Sequence, residues 1–273
     1  GVGNAANAAV AAARLGLSTA HVTDVGKDGY GTEILEYFKK EGLETKWVRE
    51  HAEIPTNYHF VLSYHAERTI LVKHQAYPYE LQRDLPIPKT VYLSSLASGT
   101  EAYHDAIVDW LEAHPGVLFA FQPGTFQMKI GVERLSRLYK RAGLFFANKE
   151  EYQRILDTKE KSEKALLEAM RKLGPKTPVL TDGKNGVYAL EGATVFHLPM
   201  YPDIAPPVNR TGACDAFSST TAAYVTMGIP LEDAMKRGTV NAAYVVQRIG
   251  AQAGLLMKDK LEEALKAAPS SSR

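Results

Sequence analysis

The sequence predicts an α/β protein: a mostly parallel central sheet with helices on both faces, plus a small β lid. Three observations predict it. From residue 90 onward, short β-branched or aromatic runs alternate with helical stretches, as in repeated β-α units whose sheet is covered on both faces. Residues 45–75 interrupt that alternation with three β runs and no helix between them. Residues 209–217, Asn-Arg-Thr-Gly-Ala-Cys-Asp-Ala-Phe, follow a Pro-rich loop and open a helix whose first residues carry little or no side chain.

The elements follow in order. Residues 1–16, GVGNAANAAVAAARLG, read as a loop entering an Ala-rich helix that stops at Gly16. The chain starts at Gly1, in what looks like the middle of a motif, so an N-terminal strand ahead of it is expected to be missing. Residues 19–23 read as a strand, 25–31 as a loop, and 32–41 as an amphipathic helix with Ile34, Leu35 and Phe38 on one face. In residues 45–75 the β runs are 47–48, 57–63 and 68–73, the last two forming a hairpin around His65-Ala66-Glu67. They read as a lid, residues 45–75, inserted in a core domain of residues 1–44 and 76–273; an antiparallel extension used for packing or dimerisation reads equally well.

Strands are then expected at 91–94, 117–121, 144–147 and 178–181, with a hairpin at 187–190 and 194–198. Helices are expected at 102–113, 130–141, from 148 onward, and at 160–173, 213–227, 231–248 and 258–267. Ligands of such sheets bind beyond the carboxyl ends of the strands.

Composition bounds the function. At 273 residues, 45% apolar and 23% charged, the chain suits one large α/β domain with a small appendage. A net charge of +1 points to neither nucleic acid nor an anionic membrane as partner. There is no 18-residue apolar run free of charges and no basic n-region of a signal peptide. Cys214 is the single cysteine, which excludes a disulfide framework and a Cys-based metal site and fits a cytoplasmic location. P-loop, His-Glu-x-x-His and Gly-x-Ser-x-Gly motifs are absent.

Chemistry concentrates in four places. At the 212–215 helix start, free N–H groups of Gly212, Ala213 and Cys214 and the helix dipole suit a phosphate or developing oxyanion. Asp215, in the same turn, is placed to accept a proton from a hydroxyl; taken alone the stretch is equally an ordinary helix cap. Asn148 and Glu151, three apart at a helix start, suit a hydrated Mg²⁺ on a nucleotide phosphate, or else a capping box, which taken alone is the better reading. Thr181-Asp182-Gly183-Lys184-Asn185-Gly186 is a turn where a phosphate or ribose could approach backbone, or a plain hairpin turn. Gly1-x-Gly3-x-x-Ala6, with Asp24 further on, matches the short dinucleotide fingerprint, which leaves an NAD-type oxidoreductase as one alternative.

Taken together and in order, GVGNAANAAVAAARLG, VGKDGYG, ANKEE, LTDGKNG and NRTGACDAF resemble the PfkB/ribokinase family of carbohydrate and nucleoside kinases, from Gly1 to about Leu256. The resemblance implies a ribokinase-like fold and ATP-dependent transfer of phosphate to a hydroxyl of a sugar or nucleoside, with ATP and Mg²⁺ as cofactors. It implies Asp215 as the catalytic base, Gly212, Ala213 and Cys214 as the anion hole, and Asn148 and Glu151 at the Mg²⁺. Thr181, Gly183, Gly186 and Asn241 fall on the nucleotide side, and Gly3, Asn4, Asn7 and Arg68 on the substrate side. It also implies a homodimer through the lid. Three departures stand out. Cys214 replaces a usual Gly, Val2 replaces the first Gly of a usual pair, and Asn209 replaces a usual Asp that often helps a monovalent cation, so K⁺ dependence stays open. The family's strand before Gly1, with an Asp that grips substrate hydroxyls, is not in the chain. A non-catalytic sugar or nucleotide sensor on the same fold is the second alternative. The acceptor stays open among ribose-like sugars, fructose phosphates, ketodeoxy sugars and nucleosides.

Overall fold

The computed structural model describes residues 3–64 and 67–268. The Ala-rich segment forms α1 (Asn4–Arg14), followed by β1 (Thr23–Gly26), α2 (Gly29–Lys40) and β2 (Val48–His51). The hairpin strands are β3 (Tyr58–Tyr64) and β4 (Glu67–Lys73); residues 65 and 66, where the turn is expected, lie outside the described residues. Next come β5 (Thr90–Leu93), α3 (Glu101–Ala113), β6 (Leu118–Phe121), α4 (Thr125–Ile130), α5 (Ser136–Arg141) and β7 (Leu144–Asn148). Then follow α6 (Lys149–Ile155), α7 (Glu163–Lys172), β8 (Thr177–Thr181), β9 (Val187–Glu191) and β10 (Thr194–Leu198). Three helices close the chain: α8 (Ala213–Thr226), α9 (Leu231–Val245) and α10 (Lys258–Ala267).

The six-stranded sheet has the order β10-β9-β8-β7-β6-β5. Strands β5 to β8 run parallel, and the β9–β10 hairpin adds two antiparallel pairings at one edge. Period-two alternation in the central strands explains why both faces are covered. Phe119 and Phe121 of β6 and Phe145 of β7 join Leu111, Leu138, Leu166 and Met170 of the helices on one face. Ala120 and Phe146, on the opposite side, pack with Phe217 of α8 and Met235 of α9. Helix α8 is buried from Asp215 through Tyr224, and Ala216 meets Ala6, Ala9 and Val10 of α1. Small side chains on both helices permit that close approach. In its first turn Asp215 is buried while Cys214 stays exposed. Among the described residues no helix is long and apolar enough to cross a membrane.

Four expectations need correction. The first strand lies at Thr23–Gly26 rather than at 19–23. The strand expected at 47–48 does not join the hairpin: β2 pairs in parallel with β1, Val48 opposite Thr23, while β3 and β4 pair only with each other among the described residues. The helix expected at 130–141 is two short helices, because Gly131, at φ 92°, ends α4 in the left-handed region. Helix α7 starts after Ser162, whose hydroxyl accepts from Ala165 N at 3.3 Å, because the Glu160 carboxylate takes the N–H groups of Lys161 and Ser162.

Candidate active site

Helix α8 starts at Gly212, which has φ 86° and no side chain to cap the helix. A Cβ on Gly212 would stand 2.5 Å from the Cβ of Ala251, so both the backbone twist and this close approach require glycine. The N–H groups that follow are spared any side-chain cap, as an anion hole needs. Just before them, Asn209 Oδ1 accepts from Thr211 N at 2.7 Å. That side chain is spent on a local turn.

Asp215 is 8% exposed and accepts two amide hydrogen bonds. Asn7 Nδ2 donates to its Oδ2 at 2.8 Å, and Gln122 Nε2 to its Oδ1 at 3.1 Å. Burial pushes the carboxyl above its ordinary value, and the two amides pull it back. Each amide has its own partner: Gln252 Nε2 donates to Asn7 Oδ1 at 2.8 Å, and the Tyr92 hydroxyl to Gln122 Oε1 at 2.5 Å. Burial raises the Tyr92 phenol well above its usual range. Arg14 secures the loop carrying Gln252, donating to Gln252 O at 2.8 Å and Leu255 O at 2.9 Å while paired with Glu41 at 2.7 Å.

A cleft adjoins this turn. Thr181, Gly183 and Gly186 line it from the β8–β9 turn, Arg210, Cys214 and Phe217 from α8 and the loop before it, and Ala242 and Val246 from α9. Among the described residues, Arg210 is the one cationic side chain in that lining. Cys214 is exposed to the cleft, yet protein crowds its thiol. That desolvation, with Asp215, Glu151 and Glu150 nearby, pushes it up to about 11, and Thr181 Oγ1 stands 4.0 Å from the sulfur. Gly183 is open on its Cβ side, whereas a Cβ on Gly186 would strike the Leu198 carbonyl. The neighbouring strand therefore requires glycine at 186. Lys149 braces the turn from α6, reaching Asp182 at 3.0 Å and Glu163 at 2.5 Å.

The other expected residues divide. Asn148 and Glu151 form the reciprocal capping box, each accepting the other's backbone N–H at 2.9 Å. Burial holds the Glu151 carboxyl above its ordinary value, and its Oε1 is not part of the cap. Asn241 does not line the cleft. It is fully buried, donating to Thr220 Oγ1 at 2.8 Å and accepting from Leu256 N at 2.9 Å, so it ties α9 to α8 in the core. Gly3 is the residue before α1, and Asn4 is exposed in its first turn. Arg68 faces Ser63 in the hairpin ladder; its side chain lies outside the described residues, as do Gly1 and Val2. Asp24, the expected ribose contact of a dinucleotide site, is occupied by Arg49 at 2.8 Å and His51 at 2.7 Å. In VGKDGYG, Asp28 caps α2 through Gly31 N and accepts from Thr56 N, both at 2.8 Å, clamping the base of the hairpin.

Tyr92, Gln122, Gln252 and Arg210 belong to this region without a motif of their own in the sequence. Gln122 was visible only as the polar residue where an apolar strand runs into Pro-Gly.

Comparison with known proteins shows the family. The family model described as pfkB family carbohydrate kinase matches residues 2–258. The ribokinase of Bacillus subtilis is 28% identical over 269 residues, covering 96% of this chain and 87% of that protein. A nucleoside kinase of Methanothermobacter thermautotrophicus is 24% identical over 258 residues, covering 93% and 80%. The solved structure of Arabidopsis thaliana ribokinase complexed with ribose and ATP superposes with a TM-score of 0.84 at 20% identity, covering 97% of this chain and 87% of that one. With a family model matched along nearly its whole length and a ribokinase fold, the chain belongs to the pfkB family of carbohydrate kinases.

Proposed function

We propose that this kinase transfers the γ-phosphate of ATP to a hydroxyl of a sugar or nucleoside, with Asp215 as the base. One observation carries the reading. Asp215, buried and amide-held, shares the first turn of α8 with Ala213 and Cys214, which line the adjoining cleft. A base and uncapped N–H groups in one turn meet both demands of phosphoryl transfer to an alcohol. The substrate hydroxyl gives its proton to Asp215, its oxygen bonds to the γ-phosphorus, and the bond from that phosphorus to the bridging oxygen breaks, releasing ADP. The N–H groups of residues 213 and 214 and the Arg210 guanidinium stabilise the negative charge.

The donor set suits a hydrated ion held mainly by nucleotide phosphates. Among the described residues no three His, Cys, Asp or Glu side chains cluster as a cage, and Glu151 has a carboxylate oxygen outside its cap. We place Mg²⁺ at Glu151, through the oxygen outside its cap, with Asn148 orienting that carboxylate through the cap; the ion would neutralise phosphate charge. The β3–β4 hairpin is assigned as the lid. Phe60, Leu62 and Leu71 are each more than half exposed on it, and a second copy of the chain is the partner proposed for that surface. With Asn209 spent on its turn, K⁺ dependence is left to measurement. A cytoplasmic location accompanies the reading.

The test is ADP release from ATP·Mg²⁺ across a panel of pentoses, hexoses, hexose phosphates and nucleosides, with and without K⁺. Release that depends on one acceptor class establishes the reading and names the substrate. ATP binding without release for any acceptor would replace it with a sensor.

A further inference from the structure

A primary amide has a donor end and an acceptor end, and its sense decides whether it attracts or repels a carboxylate. Gln122 presents its donor end to Asp215 at 3.1 Å, while its acceptor end takes the Tyr92 hydroxyl at 2.5 Å. Reversal would set oxygen against oxygen at Asp215, so the carboxylate selects the sense, and the phenol, able to donate or accept, meets the remaining acceptor end by donating. Geometry keeps the three groups together. Tyr92 lies on β5 and Gln122 follows β6, the strand paired beside it, with Tyr92 opposite Ala120. The Tyr92 ring stacks on Phe146 at 6.4 Å.

We propose that Tyr92, acting through Gln122, is a positioning residue for Asp215, holding the amide by its acceptor end so that its N–H stays aimed at Oδ1. The proposal rests on the reading of Asp215 as the base. Asn7 from α1 holds the other oxygen, through Gln252. The remaining titratable groups that bear on this centre are Tyr92 itself, Cys214 on α8 and Glu151 on α6. Burial keeps Tyr92 protonated far above neutral pH, so it stays a donor whenever Asp215 is ionised. The device compensates for seating a carboxylate where water is scarce. Two N–H groups held in position replace the lost hydration, and an amide free to swing away would do so only part of the time.

The test uses the full chain and a readout that needs no turnover. Aspartate carboxyl ¹³C resonances are titrated by NMR, with Asp215 assigned by its loss in Asp215→Asn. Tyr92→Phe keeps the ring and removes only the hydroxyl. The Asp215 midpoint is expected to rise by about one pH unit, a tenfold change in its ionisation constant. Gln122→Glu, which sets a second carboxylate against Oδ1, is expected to raise it further. In turnover, Tyr92→Phe should lower kcat by about 3- to 10-fold and move the acid limb of the pH profile upward, with the KM for ATP unchanged. A midpoint in Tyr92→Phe identical to the parent's overturns the proposal. Parent-like turnover by Asp215→Asn would instead overturn the base assignment, a separate result.

Discussion

Asn7 Nδ2 lies 2.8 Å from Asp215 Oδ2, across 208 residues of sequence. The signature at the start of the chain thus meets the signature near its end, and the first orients the second. Asn7→Asp would place two carboxylates in that contact, and like charges at hydrogen-bonding distance cannot both stay ionised cheaply. We expect kcat/KM at neutral pH to fall about 100-fold, with the acid limb moved upward. A pH–rate profile checks this. The ATP-induced rise in Tm should persist.

Asp215→Asn removes the proposed proton acceptor and keeps the volume. ADP release should fall about 10³-fold or more, while ATP·Mg²⁺ still raises Tm, since the cleft side of the turn is formed by Ala213 and Cys214. Coupled ADP assay and thermal shift on the same sample read both.

Arg210 is the cation in the lining of the cleft. Arg210→Ala is expected to weaken ATP and ADP binding about 10-fold and leave adenosine binding nearly unchanged, because a guanidinium pairs with phosphate and not with a neutral nucleoside. Calorimetric titration with the three ligands separates these cases. An equal loss for adenosine would assign Arg210 to the shape of the loop.

Cys214 carries a thiol pushed up to about 11 at an exposed position in the cleft. At neutral pH it is protonated, so iodoacetamide labelling should be slow and should accelerate as pH approaches that value. Saturating ATP·Mg²⁺ should slow it further. Mass spectrometry of the peptide carrying Cys214 follows both effects.

The Arg14–Glu41 pair, 2.7 Å apart and mostly buried, secures the loop that carries Gln252. The Arg14 guanidinium holds the Glu41 carboxyl below its ordinary value. An acid with a depressed folded pKa contributes stability that is complete above its unfolded value and is lost as pH falls through the folded one. Glu41→Gln should therefore cost about 2 kcal/mol at neutral pH. The difference from the parent should vanish in acid below the ordinary carboxylate range, which denaturant melts at several pH values would show.

Much of this protein is local and therefore legible. The alternating apolar runs specify β5 to β8 and their helices because period two and period 3.6 are short-range properties of the chain. The glycine and small residues of 212–214 announce an uncapped helix start, and Asp215 beside them announces an acid, because a motif of nine residues contains the whole turn. Pairing choices are not local. Nothing in residues 47–51 says that β2 joins β1 rather than the hairpin, since either neighbour would satisfy its backbone groups. Asn241 looks like a polar residue on a helix near the cleft; only the packing of α9 on α8 shows its amide consumed by Thr220 and Leu256. The Tyr92–Gln122–Asp215 chain is a tertiary fact of the same kind. Sequence determined which groups are chemically able, and the meeting of β5, β6, α1 and α8 decided which of them face one another, because a side-chain hydrogen bond forms on distance and direction, which sequence separation leaves unspecified.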